Sequence, residues 1–247
     1  MLWNDPVTAD VTPLKDGDVA GAIALLRSAS LQDLKSTAFL REEFLPTLGL
    51  NGEILHEFPD QLLPWCGHGI KSWQYPIQFS EYLVYLAHRD IRSYIEIGCR
   101  FGGTFIIVVE YIRRFSDLYR VCAIDIEKTD IMEKYVSQTS GAEYKIGNSL
   151  APEFQAFLGS IKWDLAFIDG DHSYPGCSTD FESVRQRSKL IALHDIASDA
   201  CPGVRQMWNE IKRIVPASRV WEANNQYRDV FKRMNSTYLG IGVVDFS

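Results

Sequence analysis

The sequence lacks several features that would place it in a specialised class of protein. No Cys-x-x-Cys pair occurs, and the five cysteines are odd in number: Cys66, Cys99, Cys122, Cys177 and Cys201. This argues against a disulfide framework and a structural zinc site, and it predicts reduced thiols in a cytoplasmic protein. No apolar run approaches the ~20 residues of a membrane-spanning helix, so no membrane partner is expected.

Targeting signals and basic runs are also missing. The first ten residues, MLWNDPVTAD, have neither a basic segment nor an apolar core, so no signal peptide is predicted. The formal net charge is -7, which argues against a nucleic-acid partner because such a surface needs clustered Lys and Arg. The chain is 46% hydrophobic, which suffices for one large α/β domain with a core.

The chain divides in two by its patterning. Residues 1–70 are predicted to be a helical extension, with short amphipathic helices over 18–45 and an irregular segment from Pro46 to Tyr75. The extension carries no chemical motif. It could act as a substrate lid or as a dimer surface, so a homo-oligomer stays open.

Residues 71–247 are predicted to form a Rossmann-like domain. From Ile91 onward the chain alternates strand and helix five times, and seven strands can be counted. This order predicts a doubly wound, mostly parallel seven-stranded sheet, and we expect its last strand to be antiparallel. Ligands of such sheets bind beyond the carboxyl ends of the strands, so the chemistry is expected there.

A glycine turn follows the first of these strands. Gly98, Gly102 and Gly103 are spaced G-x-x-x-G-G and lead into a helix, whose free N–H groups can face an anionic group. Asp125 ends the next strand, where a carboxylate can accept hydrogen bonds from ribose hydroxyls. The G-x-G-x-x-G pattern of a nicotinamide site is not met, which weighs against an oxidoreductase. A glycine turn in an α/β protein without a nucleotide is the other alternative.

The turn resembles motif I of class I S-adenosylmethionine (SAM)-dependent methyltransferases, which commonly reads E/D-x-G-x-x-x-G. The resemblance implies SAM as cofactor, with Glu96 as the motif I acid and Asp125 as the ribose-binding acid. Arg100 could meet the methionine carboxylate or pair with a nearby acid. The remaining cofactor positions that it implies are Gly98, Gly102, Thr104, Asn148, Ser149 and Asp169.

Two later strands end in groups that can carry out chemistry. One ends at Asp169 and the other at His194-Asp195, and in the class I strand order these strands are neighbours. The three side chains would meet at one point and could hold a divalent metal. His172, three residues after Asp169, could accept a hydroxyl proton as a general base.

The segments DLAFIDGDHSYPGCSTDF and IALHDI resemble bacterial metal-dependent O-methyltransferases that act on catechols and on sugars of antibiotics. The likeness covers about residues 70–245. It implies Asp169, His194 and Asp195 as ligands of Mg²⁺ or Mn²⁺ and His172 as the base. The family usually has an oxygen ligand where this chain has His194, and imidazole suits manganese, iron or zinc better than magnesium. His194 could instead orient Asp195 or contact the substrate.

The sequence therefore predicts an O-methyltransferase that acts on a hydroxyl of a small-molecule acceptor, with a sugar or glycosylated natural product as the leading class. A non-catalytic accessory protein, a nicotinamide-dependent oxidoreductase and an N- or C-methyltransferase are the alternatives. An aromatic cluster in and after the irregular segment, which includes Trp65, Trp73 and Tyr75, is either a satellite core or a substrate wall.

Overall fold

The structure is a computed structural model that describes residues 2–3 and 11–247. Most of the N-terminal segment in which no signal peptide is predicted, Met1 and residues 4–10, lies outside the described residues. Within the described part of the chain, no helix is both long and apolar enough to cross a bilayer.

The N-terminal part is built of short helices, as the amphipathic pattern predicts. Asp18, Ser30 and Ser36 each accept a hydrogen bond from a backbone N–H three residues later, which caps a helix start. The first elements are strand β1 (Leu2–Trp3), helices α1 (Val19–Ser28), α2 (Leu31–Leu34) and α3 (Thr37–Phe39), a π-helical turn (Leu40–Phe44) and α4 (Leu45–Leu48).

The segment predicted to be irregular consists mainly of turns. After α4 it holds two 3₁₀ turns, Leu55–Glu57 and Asp60–Trp65, before helix α5 (Pro76–Leu86) begins. Proline at the first position of α5 fits there because that N–H has no partner within the helix.

Strands and helices then alternate to the end of the chain. The elements are β2 (Ser93–Ile97), α6 (Gly103–Ile112), β3 (Arg120–Asp125), α7 (Asp130–Gln138), β4 (Ala142–Ile146), α8 (Pro152–Ser160), β5 (Trp163–Ile168), α9 (Tyr174–Arg185), β6 (Ser188–Leu193), α10 (Pro202–Ile214), a 3₁₀ turn (Ala217–Arg219), β7 (Val220–Ala223), β8 (Gln226–Tyr227), α11 (Arg228–Met234) and β9 (Ile241–Asp245).

Seven of the strands form one sheet in the order β4-β3-β2-β5-β6-β9-β7. Its strands run parallel except β9, which is antiparallel to both β6 and β7. The predicted Rossmann-like sheet with an antiparallel last strand is therefore confirmed. The strand order reverses between β2 and β5, so a crevice is expected at their carboxyl ends.

Helices cover both faces of this sheet. Tyr94 and Phe167 belong to the core cluster that also contains α1 and α6, whereas Ile95 and Ile168 pack with α9 and α10 on the other side. Cover on both faces explains why the central strands β2 and β5 are buried and mostly apolar. Helices on both sides of residue 70 share the first cluster, and the domain division at that residue stays a prediction.

One helix begins earlier than its sequence pattern predicts, and two short elements are not predicted. The pattern DFESVRQR predicts a helix from Asp180, but helix α9 begins six residues earlier at Tyr174, because Ser173 accepts a hydrogen bond from Gly176 N and Pro175 fits the first turn. The sequence pattern also gives no sign of β8 or α11. Strand β8 has only two residues, which is too short to show an alternating pattern.

Candidate active site

A cavity of about 730 Å³ opens at the carboxyl ends of β2, β3, β5 and β6, where the topology predicts a ligand. This volume is within the range of small-molecule sites. The cavity is lined by most of the predicted site residues: Glu96, Gly98, Arg100, Thr104, Asp125, Asn148, Ser149, Asp169, His172, His194 and Asp195. Gly102 does not itself line the cavity.

The glycine turn brings the backbone of β2 against the loop after β5. Gly98 has φ +80°, and a Cβ added there would lie 2.2 Å from Asp169 O. Gly102 has φ +94° and precedes helix α6, where a Cβ would lie 2.2 Å from Met132 Sδ. Only glycine fits both positions without a shift of the neighbours. The turn leaves Gly103 and Thr104, at the N-terminus of α6, facing the cavity.

Asp125 fastens this turn to the end of β3. Its Oδ2 accepts hydrogen bonds from the N–H groups of Cys99 (2.8 Å) and Arg100 (2.7 Å), and its Oδ1 accepts one from Glu127 N (2.9 Å). The predicted ribose-binding acid therefore also shapes the turn. Glu127, which the sequence interpretation passed over, lines the same wall two residues later and is exposed.

Arg100 is paired with acids. Its guanidinium lies 2.9 Å from Glu53 Oε1 and 3.1 Å from Glu127 Oε2. The structure therefore contains the ion pair with nearby acids, which is one of the two roles that the sequence left open for Arg100. A contact of Arg100 with the methionine carboxylate stays a prediction. The Glu53 contact also fastens the N-terminal segment to the rim of the cavity.

Glu96 is buried beneath the turn, and Tyr94 Oη donates a hydrogen bond to it. Burial raises the pKa of Glu96 well above its ordinary value, against the opposing effect of this hydrogen bond. Thr104 is also buried, and its hydroxyl lies 3.4 Å from Gln74 Nε2. Both residues form the floor of the cavity.

Asn148 and Ser149 follow β4 and form another part of the cavity wall. Asn148 Oδ1 accepts a hydrogen bond from Leu150 N (2.9 Å), and Ser149 Oγ donates one to Asp180 Oδ2 (3.2 Å). Asp180 is completely buried, and its Oδ1 has no partner among the described residues. Burial raises the pKa of Asp180 to about 6, although the Ser149 hydrogen bond opposes the shift.

Asp180 is expected to make folding pH-dependent. Folding raises the pKa of Asp180. Its contribution to the free energy of unfolding is therefore fully present below pH ~4, where the acid is neutral, and is lost as the pH rises through about 6. Asp180→Asn should therefore increase the free energy of unfolding by about 2 kcal/mol more at pH 8 than at pH 4. Urea denaturation at both pH values measures the difference. The exposed Glu182→Gln on the same helix is the control, and an equal effect of Asp180→Asn at both pH values would contradict the account.

Two carboxylates and two histidines meet at the ends of β5 and β6. His172 Nε2 lies 3.2 Å from Asp169 Oδ1 and 3.4 Å from Asp195 Oδ2. His194 Nδ1 lies 2.9 Å and 3.6 Å from the same two oxygens. Asp195 has φ +60°, a conformation that costs a non-glycine residue energy. The strand order thus brings together the four residues that the sequence predicts.

Mutual charge controls ionisation in this group. Burial favours the neutral form of Asp169, but His194 and His172 outweigh it and lower the pKa of Asp169 to about 2. Burial likewise opposes a charge on His172, but the hydrogen bonds with Asp169 and Cys201 and the charges of Asp169 and Asp195 raise its pKa to about 11. The site therefore favours the ionised forms of both groups.

The spacing of these ligand atoms is compatible with a metal ion. Ligands about 2.1 Å from a first-row metal lie about 3.0 to 3.4 Å from one another, close to the distances between the carboxylate oxygens and the imidazole nitrogens. Asp169, His194 and Asp195 offer such atoms within 4.8 Å of one another, and so do His172, Asp195 and Cys201. Imidazole, carboxylate and thiolate together suit manganese, iron or zinc better than magnesium.

The surroundings of His194 Nε2, the ring nitrogen farther from Asp169, affect how well His194 could bind a metal ion. His194 Nε2 is buried without a hydrogen-bond partner among the described residues. The neutral ring is therefore expected to carry its proton on Nδ1, toward Asp169, because a buried N–H without an acceptor is costly. A metal ion bound at Nδ1 would move the proton of the neutral ring to Nε2, so His194 as a ligand would carry the cost of an N–H without an acceptor.

The aromatic cluster is divided between its two predicted roles. Trp65 and Tyr75 belong to a satellite core with Phe58 and Tyr227. Trp73 lines the cavity, and its Nε1 donates a hydrogen bond to Glu57 Oε2 (3.3 Å).

The described cavity residues with ionisable side chains that were not predicted from the sequence include Glu57, Lys71, Glu127 and Cys201. Cys201 Sγ lies 3.4 Å from His172 Nδ1 and 3.3 Å from Asp195 Oδ2. The acids at the end of β3 were a signal for Glu127. No local pattern marks the other three.

Comparison with known proteins agrees with this geometry. Residues 95–196 match a family described as a methyltransferase domain. The matched segment covers 102 of the 247 residues and runs from β2 and the glycine turn to the Asp169 group. No curated protein matches the sequence of the chain.

Solved structures resemble the fold at low sequence identity. A protein from Streptococcus mutans, proposed to be a SAM-dependent methyltransferase, is 8% identical with a TM-score of 0.51, over 73% of this chain and 52% of that one. Cofactor-bound Rv0187 from MTB is 14% identical with a TM-score of 0.48, over 94% and 90% of the two chains. CalS11, a TDP-rhamnose 3'-O-methyltransferase of calicheamicin biosynthesis, is 13% identical with a TM-score of 0.43, over 83% and 86%.

Proposed function

We propose that the protein is a SAM-dependent O-methyltransferase that acts on a hydroxyl group of a small acceptor. The observation that carries the proposal is one cavity that contains both the glycine turn at the N-terminus of α6 and the Asp169–His172–His194–Asp195 group. The family match of residues 95–196 supports the methyltransferase part of the proposal.

We assign SAM to the part of the cavity that surrounds the glycine turn. SAM, when bound, would supply the methyl group on a sulfonium. Glu96, Asp125 and the backbone of the turn would hold its amino acid and ribose parts, and Asn148 and Ser149 lie on the wall assigned to the adenine. The many carboxylates around the turn are suited to a cationic sulfonium.

The acceptor hydroxyl is assigned to the Asp169 group. A divalent cation held by Asp169, His194 and Asp195 would offset the two carboxylates, lower the pKa of the hydroxyl and leave His172 neutral. His172 then accepts the hydroxyl proton at a ring nitrogen. In-line transfer needs mainly positioning of the two reactants, which the rigid strand ends supply.

The acceptor class and cellular setting extend this proposal. A sugar or glycosylated natural product stays the proposed acceptor, because the segments that contain His172 and His194 resemble those of O-methyltransferases that act on sugars of antibiotics. A cytoplasmic location and a homo-oligomer stay predictions.

Labelled SAM and a panel of hydroxylated acceptors test the proposal. The panel should include glycosides, free sugars and catechols, each assayed after EDTA treatment and with added Mg²⁺, Mn²⁺ or Zn²⁺. We expect methyl ethers in the product, with His172→Ala reducing kcat by about 10²- to 10⁴-fold while binding of S-adenosylhomocysteine is retained. Binding of that product without transfer to any acceptor would indicate a non-catalytic protein.

A further inference from the structure

Part of the cavity wall comes from the N-terminal segment. Glu57, at the end of the 3₁₀ turn Leu55–Glu57, is 9% exposed, and it lines the cavity together with Trp73. The charges of Asp195 and His194 act on the Glu57 carboxyl. Glu57 therefore lies toward the proposed chemical end of the cavity.

Two contacts hold Glu57 in place. Trp73 Nε1 donates to its Oε2 at 3.3 Å, and Tyr75 Oη donates to its backbone carbonyl. Among the described residues, none donates a hydrogen bond to Glu57 Oε1. Burial raises the pKa of Glu57, and the Trp73 hydrogen bond and the charges of His56 and His194 oppose the shift.

The cavity as a whole is acidic. Among the described residues, seven carboxyl groups line it, against Lys71, Arg100 and the two histidines His172 and His194. Lys71 lies 2.9 Å from Asp16, and Arg100 pairs with Glu53 and Glu127. Both histidines lie against Asp169 and Asp195, so all four basic groups are already paired with acids. This field attracts a cationic acceptor and repels a phosphorylated or nucleotide-linked one.

We propose that Glu57, held by Trp73, is a specificity-determining residue that selects acceptors carrying an amine, such as amino sugars or hydroxylated aryl amines. The ammonium group is bound by Glu57 while a hydroxyl of the same molecule reaches the Asp169 group, and the Trp73 ring lines the same cavity. The proposal rests on the proposed methyltransferase function, because it assigns the acceptor end of that cavity.

Matched pairs of acceptors test whether the positive charge of the amine is recognised. Methyl glycosides of aminohexoses and hydroxyphenylethylamines, each compared with its N-acetylated counterpart, are titrated into the full-length protein saturated with S-adenosylhomocysteine. We expect at least one amine to bind about 10- to 100-fold more tightly than its neutral counterpart, as a charge-assisted hydrogen bond predicts. Glu57→Gln should abolish this preference. Glu53→Gln removes the same charge at the exposed rim and should keep it.

Each outcome decides between the two proposals. No amine preference in any pair, or a preference that survives Glu57→Gln, overturns the role of Glu57. Failure of the wild-type protein to bind S-adenosylhomocysteine overturns the proposed function itself. Intact binding of S-adenosylhomocysteine without an amine preference leaves the methyltransferase proposal standing and removes only the acceptor class.

Discussion

Asp169→Asn is expected to lower kcat for methyl transfer by about 10²- to 10⁴-fold. Asp169 Oδ1 lies within 3.2 Å of both His172 Nε2 and His194 Nδ1, so the substitution removes the charge that orients both rings. It also removes a carboxylate from the proposed metal site. Steady-state kinetics with an accepted substrate measures the effect, and circular dichroism checks the fold.

Asp171→Asn is the matched control for this substitution. Asp171 is exposed two residues later, and its Oδ1 accepts a local hydrogen bond from Ser173 N (2.8 Å). Its replacement should change kcat less than about threefold, as expected for a group outside the transition state. If Asp169→Asn were equally mild, the Asp169 group would not be the chemical centre.

Gly98→Ala should weaken binding of S-adenosylhomocysteine by about 100-fold or more, because a 2.2 Å contact with backbone forces a shift that costs several kcal/mol. The new Cβ would meet Asp169 O, so the cofactor turn and the loop after β5 must move apart. Calorimetric titration measures the affinity, and denaturation measures the accompanying loss of stability.

Gly67→Ala separates backbone strain from this contact. Gly67 has φ +79°, almost the same as Gly98, but no heavy atom lies within 4 Å of a Cβ added there. Both substitutions share a strain of about 1 to 2 kcal/mol, and only Gly98→Ala adds the collision. Equal affinities for S-adenosylhomocysteine in the two variants would show that the close approach at Gly98 is unimportant.

Sequence patterns predicted the sheet well because its signals are local. Apolar strands that end in glycine or acid, with amphipathic helices between them, permit few topologies. That topology brings His172 beside Asp195, although no local pattern relates them. The meeting of these residues follows from the strand order alone.

Long-range packing accounts for most of what the sequence did not reveal. Glu57 and Trp73 come from a segment without periodicity, so their place in the cavity wall depends on how that segment folds over the sheet. Arg100 pairs with Glu53 for the same reason. Cys201 reaches the site from the loop before α10, where a single cysteine carries no spacing signal.

The most direct test of the central claim is calorimetric titration of the purified protein with S-adenosylhomocysteine, before and after EDTA treatment and again with added Mg²⁺ or Mn²⁺. We predict binding in the micromolar range that is lost in Asp125→Ala, since that variant loses the carboxylate that fastens the turn. A gain in this affinity on adding metal would support the metal site at Asp169. The absence of binding under every condition would contradict the methyltransferase assignment and leave an α/β domain with a different ligand.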